Sequence, residues 1–224
     1  MTGDSVHVCL VNGSLRGAKS SSLGFLKDIE RRLAPDEFAK TYVSVSAART
    51  NPYPMTVLRT IATADVLVLA FPLYAYGLPG ALMRLLEEFD GYVRAGNSHN
   101  RGSRVYVIVN CAFPRPEITA EAVRVMRNFC RRHALRWRFA ICIGSGITVA
   151  VTKHIPLLGL GPGRALNQMA ADIHGTATTP HDDVFVRPVI PERIIFAIKN
   201  HYEKKGEMYA VDESRKASTR AERN

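Results

Sequence analysis

Short apolar segments of strand length recur along this sequence and alternate with segments of helical pattern. The strand-like segments are residues 6–11, 37–46, 65–71, 104–111 and 139–143. Apolar residues at helical spacing fill the intervals between them, in residues 20–33, 56–63, 79–92 and 118–135. Apolar strands separated by amphipathic helices predict a parallel sheet covered on both faces. The 224 residues are enough for one substantial domain of this kind.

The loop between the first strand and the first helix, residues 12–22, is rich in glycine, serine and basic residues. When a small polar loop connects a strand to a helix, backbone N–H groups of the loop and the N-terminus of the helix point toward one place. Such a place suits a phosphate group. The serine hydroxyls add donors, and Arg16 adds a charge that can fork onto phosphate oxygens. The pattern therefore favours a phosphate site, and its alternative is an ordinary serine-rich helix N-cap.

Three other loop types fit these residues less well. Residues 13–20 read GSLRGAKS, one mismatch from the nucleotide-triphosphatase loop, with Ala18 in place of its second glycine. No candidate strand ends in the aspartate that the metal of that family needs. The dinucleotide fingerprint GxGxxG is absent from the loop. A cysteine-phosphatase loop needs its nucleophile on the turn, whereas Cys9 lies inside the predicted strand.

A second loop follows the third strand and reads FPLYAYGLPG over residues 71–80. In a doubly wound sheet this loop lies beside the first one, at the carboxyl ends of strands one and three. Its tyrosines, prolines and glycines offer flat apolar faces and accessible backbone groups, which a planar aromatic ligand requires. The alternative is an ordinary loop before a helix that begins with Pro79.

Both loops resemble motifs of the flavodoxin-like NAD(P)H-dependent FMN reductases. Ser14-x-Arg16 followed by the serines at 20–22 is similar to their phosphate loop, and residues 72–83 are similar to their PxYxxGxPxxLK signature. Met83 stands where many relatives carry lysine. The resemblance covers residues 6–144. It implies a flavodoxin-like three-layer α/β sandwich, with helices on both faces of a five-stranded parallel sheet in the order 2-1-3-4-5.

The resemblance also implies a non-covalently bound FMN. The phosphate group is then expected on Ser14, Arg16, Ser20, Ser21 and Ser22. The isoalloxazine ring is expected against Pro72, Leu73, Tyr74, Ala75, Tyr76 and Gly77. A third contact is expected from the loop after strand four, through Asn110, Cys111, Ala112 and Phe113, which lacks the glycines common in relatives. No catalytic side chain is expected, because the flavin carries the chemistry.

The activity implied by the resemblance is that of an oxidoreductase. NADH or NADPH reduces the flavin, and a quinone, a nitro or azo compound or free flavin then takes up the electrons. A flavodoxin-type electron carrier and a phosphate- or nucleotide-binding protein without flavin are the alternatives. Such carriers are usually strongly acidic, whereas this chain has a net charge of +10, which favours the enzyme. Relatives are commonly dimers, so the resemblance also implies a homodimer.

The excess of positive charge is concentrated in one stretch without acidic residues. Its arginines are Arg124, Arg127, Arg131, Arg132, Arg136 and Arg138. We interpret this stretch as the solvated face of an amphipathic helix, because apolar residues at helical spacing form an opposite face. A nucleic-acid interface is disfavoured, since Phe129 and Trp137 are the only aromatic residues there.

The remaining composition bounds the class of protein. The four cysteines lie far apart without a CxxC pair, and residues 1–5 show no secretory signal, so we expect reduced thiols in a cytoplasmic protein. A packed Cys111 is favoured over a redox-active one. The seven histidines are scattered without a matching carboxylate or cysteine cluster, and we expect no metal site.

The C-terminal part carries several separate expectations. Residues 147–163 are apolar and glycine-rich but are interrupted by Lys153, His154 and Pro156, so we expect a lid or dimer-interface segment rather than a membrane span. Helices are predicted at residues 162–174 and 191–205. We expect one domain over residues 1–210 and a disordered tail over 211–224, where the sequence is small, polar and charged.

Overall fold

The computed structural model describes residues 5–47, 52–97, 99–152, 156–175 and 181–188. The chain divides into two compact units, Met1–Pro188 and Val189–Asn224, and the described residues all belong to the first. The expected helix at 191–205 and the expected tail at 211–224 lie outside the described residues, and the single domain over 1–210 stays a prediction.

A parallel sheet in the order β2-β1-β3-β4-β5-β6 forms the centre of the first unit. Its strands are β1 (Val6–Asn12), β2 (Phe38–Ser44), β3 (Val66–Pro72), β4 (Arg104–Asn110), β5 (Arg136–Ile143) and β6 (Val184–Val186). The helices are α1 (Ser21–Glu30), α2 (Met55–Thr63), α3 (Gly80–Arg94), α4 (Ala120–Arg132), α5 (Gly146–Thr152) and α6 (Pro156–His174). The order of the first five strands is that of the flavodoxin-like fold.

Two apolar cores lie on opposite faces of the sheet. Alternate residues of a strand point to opposite faces, so Cys9 and Val11 join one core while Val8 and Leu10 join the other. Residues of α2, α3 and α4 fill the first core, and residues of α1 and α6 fill the second. The expected three-layer α/β architecture is therefore confirmed.

The expectation of five strands is wrong, because the sheet has a sixth. The edge strand β6 has three residues and pairs with β5 through Ile141 to Ile143. Asp183, just before it, accepts a hydrogen bond from the backbone N–H of Ala140 at 2.9 Å. A strand of three residues is too short to show the alternation that marks strands in a sequence, and the middle residue, Phe185, is 45% exposed.

The segment at 147–163, expected as a lid or interface, contributes to two helices. Helix α5 covers its start, and α6 begins at Pro156 rather than at the predicted residue 162. Pro162 lies inside α6, so the predicted start of this helix at residue 162 is wrong. Within the described residues no helix combines the length and hydropathy needed to cross a bilayer.

Arg138 departs from the expectation that the arginines of this stretch are solvated. Its side chain is 1% exposed and makes a bidentate ion pair with Asp172 of α6, at 2.8 and 2.7 Å. Tyr106 donates a third hydrogen bond to the same carboxylate at 2.7 Å. Burial alone would raise the pKa of Asp172, but these hydrogen bonds hold that pKa below its ordinary value.

Candidate functional site

Three loops meet at the carboxyl edge of the sheet: the first loop (residues 13–20), the second loop (73–79) and the third loop (111–115). The N–H of Gly13 donates to the carbonyl of Ala70 at 2.8 Å, which fixes the start of the first loop against β3. The N–H of Leu73 donates to the carbonyl of Asn110 at 2.8 Å, which joins the second loop to the end of β4. The structure therefore brings the three predicted segments to one edge.

The first loop is a tight turn that leads directly into α1. Residues Gly17–Lys19 form one turn of 3-10 helix, with Gly17 at a φ of 53°. A Cβ atom on Gly17 would lie 2.7 Å from the Ser46 hydroxyl, so both the backbone angle and the space require glycine. The hydroxyl of Ser20 caps α1 by accepting from the N–H of Leu23 at 3.1 Å.

The predicted phosphate residues fall into two groups. Three hydroxyls are engaged within the protein: the Ser14 oxygen accepts from the Arg16 N–H at 3.3 Å, Ser20 donates to the carbonyl of Gly17 at 2.8 Å, and Ser22 accepts from the Asn110 amide at 3.3 Å. The side chain of Arg16 is exposed and Ser21 is half-buried. The N–H groups of Ser21 and Ser22 begin α1 and have no acceptor within the helix.

The second loop is a two-residue hairpin turn. Tyr74 and Gly77 exchange both backbone hydrogen bonds, at 3.0 and 2.8 Å. The two residues between them, Ala75 and Tyr76, have φ angles of 47° and 62°, as a type I′ turn requires. Glycine or asparagine usually occupies such positions, so this turn stores conformational strain. It also leaves the residues Tyr74 and Tyr76 44% and 64% exposed.

The third loop is held against the end of β5. The N–H of Cys111 donates to the carbonyl of Ile143 at 2.9 Å, and the N–H of Ser145 donates to the carbonyl of Phe113 at 2.7 Å. The Cys111 thiol is buried and donates to the carbonyls of Phe113 and Arg115. Burial raises the pKa of this thiol, so it stays protonated at neutral pH. Phe113 remains 56% exposed.

Asn110 lies at the junction of the loops with its side chain turned inward. It is 5% exposed, and its amide donates to Ser22 at 3.3 Å and to the carbonyl of Phe71 at 3.4 Å. A Cβ atom added to Gly146 would lie 2.6 Å from the Cβ of Asn110, which is closer than two non-bonded carbon atoms can approach. Asn110 thus joins α1 to β3 through hydrogen bonds and lies close against the start of α5.

Two polar residues of this edge did not stand out in the sequence. Asn12, the last residue of β1, is 2% exposed and forms hydrogen bonds with three residues of the first loop. Ser145 is 2% exposed, and its hydroxyl has no hydrogen-bond partner in the described part of the chain. The sequence marks Asn12 only as an asparagine at the end of an apolar strand. Asparagine is common at strand ends, so its position does not distinguish it from an ordinary turn residue.

The groups that the structure gathers at this edge fit a phosphate and a flat ring. The guanidinium of Arg16 and the first N–H groups of α1 are donors of the kind that bind phosphate oxygens. The exposed rings of Tyr74, Tyr76 and Phe113 offer apolar faces beside them. The residues present therefore suit FMN. Among the described residues, His, Cys, Asp and Glu do not form a group of three that could hold a metal ion.

Comparisons with known proteins locate the fold. No protein-family model matches the sequence, and no curated protein matches it either. Among solved structures, the chain is similar to an NAD(P)H:quinone oxidoreductase from Methanothermobacter marburgensis, with 15% sequence identity, a TM-score of 0.58, and 78% of this chain and 99% of that chain covered.

Two further structures give the same result. One is an NADH:FMN oxidoreductase in its apo form, at 13% identity and a TM-score of 0.57, covering 85% of this chain and 99% of the other. The second is RosB with bound 8-demethyl-8-formylriboflavin-5'-phosphate, at 14% identity and a TM-score of 0.55, covering 75% and 77%. At these identities the likeness, together with the strand order, establishes the fold: the chain is an α/β protein of the flavodoxin-like fold.

Proposed function

We propose that this chain binds FMN non-covalently at the carboxyl edge of its sheet and is an NAD(P)H:acceptor oxidoreductase. The observation that carries the proposal is the meeting of the first and second loops at the adjacent ends of β1 and β3. One loop brings a helix N-terminus and Arg16, and the other brings exposed tyrosines on a constrained turn. The structures with similar folds add support, because two are named as oxidoreductases and the third holds a flavin phosphate.

The phosphate group is assigned to the first loop and the start of α1. Arg16 neutralises its charge, and the N–H groups of Ser21 and Ser22 donate to its oxygens. The hydroxyls of Ser14 and Ser20 line the loop and also hold its shape through their internal hydrogen bonds.

The ring is assigned to the second loop. It lies along Pro72, Leu73, Tyr74, Ala75, Tyr76 and Gly77, where backbone groups can reach its edge. Ala112 and Phe113 of the third loop form a further wall, and Asn110 and Cys111 hold that loop in place. When bound, FMN supplies the transfer of hydride and electrons, so the protein needs no acid–base side chain for the reaction.

Purification of the full chain provides the test. We expect a yellow protein with the absorption bands of oxidised flavin, and we expect denaturation to release a molecule with the mass of FMN. Addition of NADH or NADPH without oxygen should bleach those bands, and a quinone, a nitro or azo compound or free flavin should restore them. A colourless protein that takes up no FMN would contradict the proposal and favour a phosphate- or nucleotide-binding protein.

The same experiment separates the enzyme from an electron carrier. A yellow protein that dithionite bleaches, but that neither nicotinamide nucleotide bleaches, would indicate a flavodoxin-type carrier. The identity of the acceptor, the homodimer and the cytoplasmic location stay predictions. Light scattering on the purified chain, with an expected mass of two copies, checks the dimer.

A further inference from the structure

The amide of Asn12 connects the beginning, middle and end of the first loop. Its Nδ2 donates to the carbonyl of Gly17 at 3.1 Å. Its Oδ1 accepts from the N–H of Ser14 at 3.2 Å and from the hydroxyl of Ser20 at 3.3 Å. Asn12 is 2% exposed, so these hydrogen bonds are shielded from water. A buried polar group without a hydrogen-bond partner would cost free energy of folding.

Asn12 and Ser20 both hold the carbonyl of Gly17. The Ser20 hydroxyl donates to that oxygen at 2.8 Å, beside the 3.1 Å bond from Asn12. The oxygen is therefore directed toward the buried side of the loop. In a planar trans peptide the carbonyl and the following N–H point in opposite directions, so the N–H of Ala18 is directed away from Asn12. A carbonyl turned outward at this place would instead repel a phosphate group.

We propose that Asn12 is a positioning residue that makes the first loop selective for a phosphate monoester, so that the chain prefers FMN to riboflavin. The inference rests on the proposed function and extends it, because it names the residue that holds the Gly17 carbonyl toward the buried side of the loop. An asparagine is suited to this task because it provides a donor and an acceptor on one rigid planar group. A leucine or valine, as at Val8, Leu10 and Val11 of the same strand, would provide neither.

The test compares the affinities of two ligands that differ only in the phosphate. Dissociation constants for FMN and for riboflavin are measured by fluorescence titration of the full-length apoprotein, for the wild type, Asn12→Ala and Asn12→Asp. We expect Asn12→Ala to weaken FMN binding about tenfold or more, since several buried hydrogen bonds are lost. Riboflavin binding should change less than about twofold, because it lacks the group that the loop binds.

Asn12→Asp is the second variant and keeps the size of the side chain. It retains an acceptor for Ser14 and Ser20, loses the donor to Gly17 and adds a negative charge below the phosphate site. We expect it to weaken FMN binding more than Asn12→Ala does and again to spare riboflavin. Asn128→Ala, an exposed asparagine of α4 whose oxygen accepts from Arg131, is the matched control and should change neither constant.

The outcomes separate this inference from the proposed function. Equal losses for FMN and riboflavin would show that Asn12 supports only the fold, and would overturn the inference while leaving the flavin site in place. Equal affinity of the wild type for the two flavins would overturn it as well. A wild type that binds neither flavin would overturn the proposed function and the inference together. If Asn12→Ala does not fold, the result for Asn12→Asp decides.

Discussion

Ala75 and Tyr76 hold a backbone conformation that residues with a Cβ atom rarely adopt. Their φ angles of 47° and 62° belong to a turn that closes with two backbone hydrogen bonds between Tyr74 and Gly77. A residue other than glycine in this region costs roughly 1–2 kcal/mol. The chain accepts that cost at a point where its side chains are exposed, which is typical of a turn shaped for binding.

Replacement of Ala75 by glycine should therefore stabilise the protein. We expect a gain of up to about 1 kcal/mol in the free energy of unfolding. Glycine relieves the backbone strain, but part of that gain is offset by its greater conformational entropy in the unfolded chain. Urea denaturation measures it. Ala95→Gly is the matched control, because Ala95 is exposed with a φ of −71°, and it should give no gain. A loss of stability in Ala75→Gly would show that the turn is not strained.

Arg16 is an exposed cation of the first loop, and its removal should weaken the binding of FMN. A hydrogen bond to a charged group contributes about 1.5–3 kcal/mol, so Arg16→Ala should raise the dissociation constant roughly tenfold to a hundredfold. The salt dependence of binding should fall in the same variant. Arg136→Ala, at an exposed arginine of β5, is the control. Unchanged FMN binding in Arg16→Ala would remove Arg16 from the phosphate site.

The packing of α6 on the sheet depends on a buried ion pair. Asp172 receives two hydrogen bonds from Arg138 and one from Tyr106, and both charged side chains are almost fully buried. The pair makes α6 specific for its place on the sheet, because a shift of the helix would leave a buried charge without its partner.

Asp172→Asn should destabilise the protein strongly. It keeps the shape of the side chain but leaves the Arg138 charge without its counterion, so we expect a loss of about 3–5 kcal/mol. Chemical denaturation followed by circular dichroism measures the loss. Glu121→Gln, which breaks an exposed pair with Arg124, should change stability by less than about 1 kcal/mol. A loss as small as that in Asp172→Asn would show that α6 does not depend on this pair.

Long, buried strands and helices could be predicted from the sequence, whereas a short, exposed strand could not. The five strands β1 to β5 and the helices α1, α3 and α4 carry patterns long enough to identify their type. Strand β6 has three residues and depends on Asp183, whose contact with Ala140 joins residues distant in sequence. From the sequence Arg138 is expected at the surface, but in the fold it is buried because α6 places Asp172 beside it. Those interactions arise from tertiary packing, which no local pattern contains.

In the candidate site, too, some features could be predicted from the sequence and others arise only from tertiary packing. The positions of the first and second loops were predictable, because the ends of neighbouring parallel strands lie at one edge. The directions of the side chains were not predictable. Ser22 and Asn110, both expected to contact the ligand, form a hydrogen bond with each other across 88 positions of sequence. Asn12 acquires its role only when the turn brings Gly17 back to it.

At the scale of the whole molecule, His133 links stability to pH. It is 5% exposed, and burial lowers its pKa despite the nearby carboxylate of Asp90. Below the ordinary pKa of histidine, near 6.5, the unfolded chain binds a proton that the folded chain resists. The His133 contribution to stability is therefore fully present above that pH and is lost as the pH falls toward the lowered value.

We accordingly expect His133→Gln to reduce the dependence of stability on pH between about 7 and 5. Denaturation curves at several pH values measure the free energy of unfolding for the variant and the wild type. Asn128→Ala, at an exposed residue of α4 that does not titrate, should retain the wild-type slope. Parallel slopes for His133→Gln and the wild type would show that His133 is not the group responsible.

If the first and second loops form one binding site for FMN, as we propose, FMN must stabilise the folded protein, and a thermal unfolding experiment measures that stabilisation. The melting temperature of the apoprotein is measured with and without FMN at a concentration about a hundredfold above the dissociation constant. A ligand that binds only the folded state then stabilises it by about 2.7 kcal/mol, so the melting temperature should rise by roughly 5–10 °C for a chain of this size. A melting temperature that saturating FMN leaves unchanged would contradict the account.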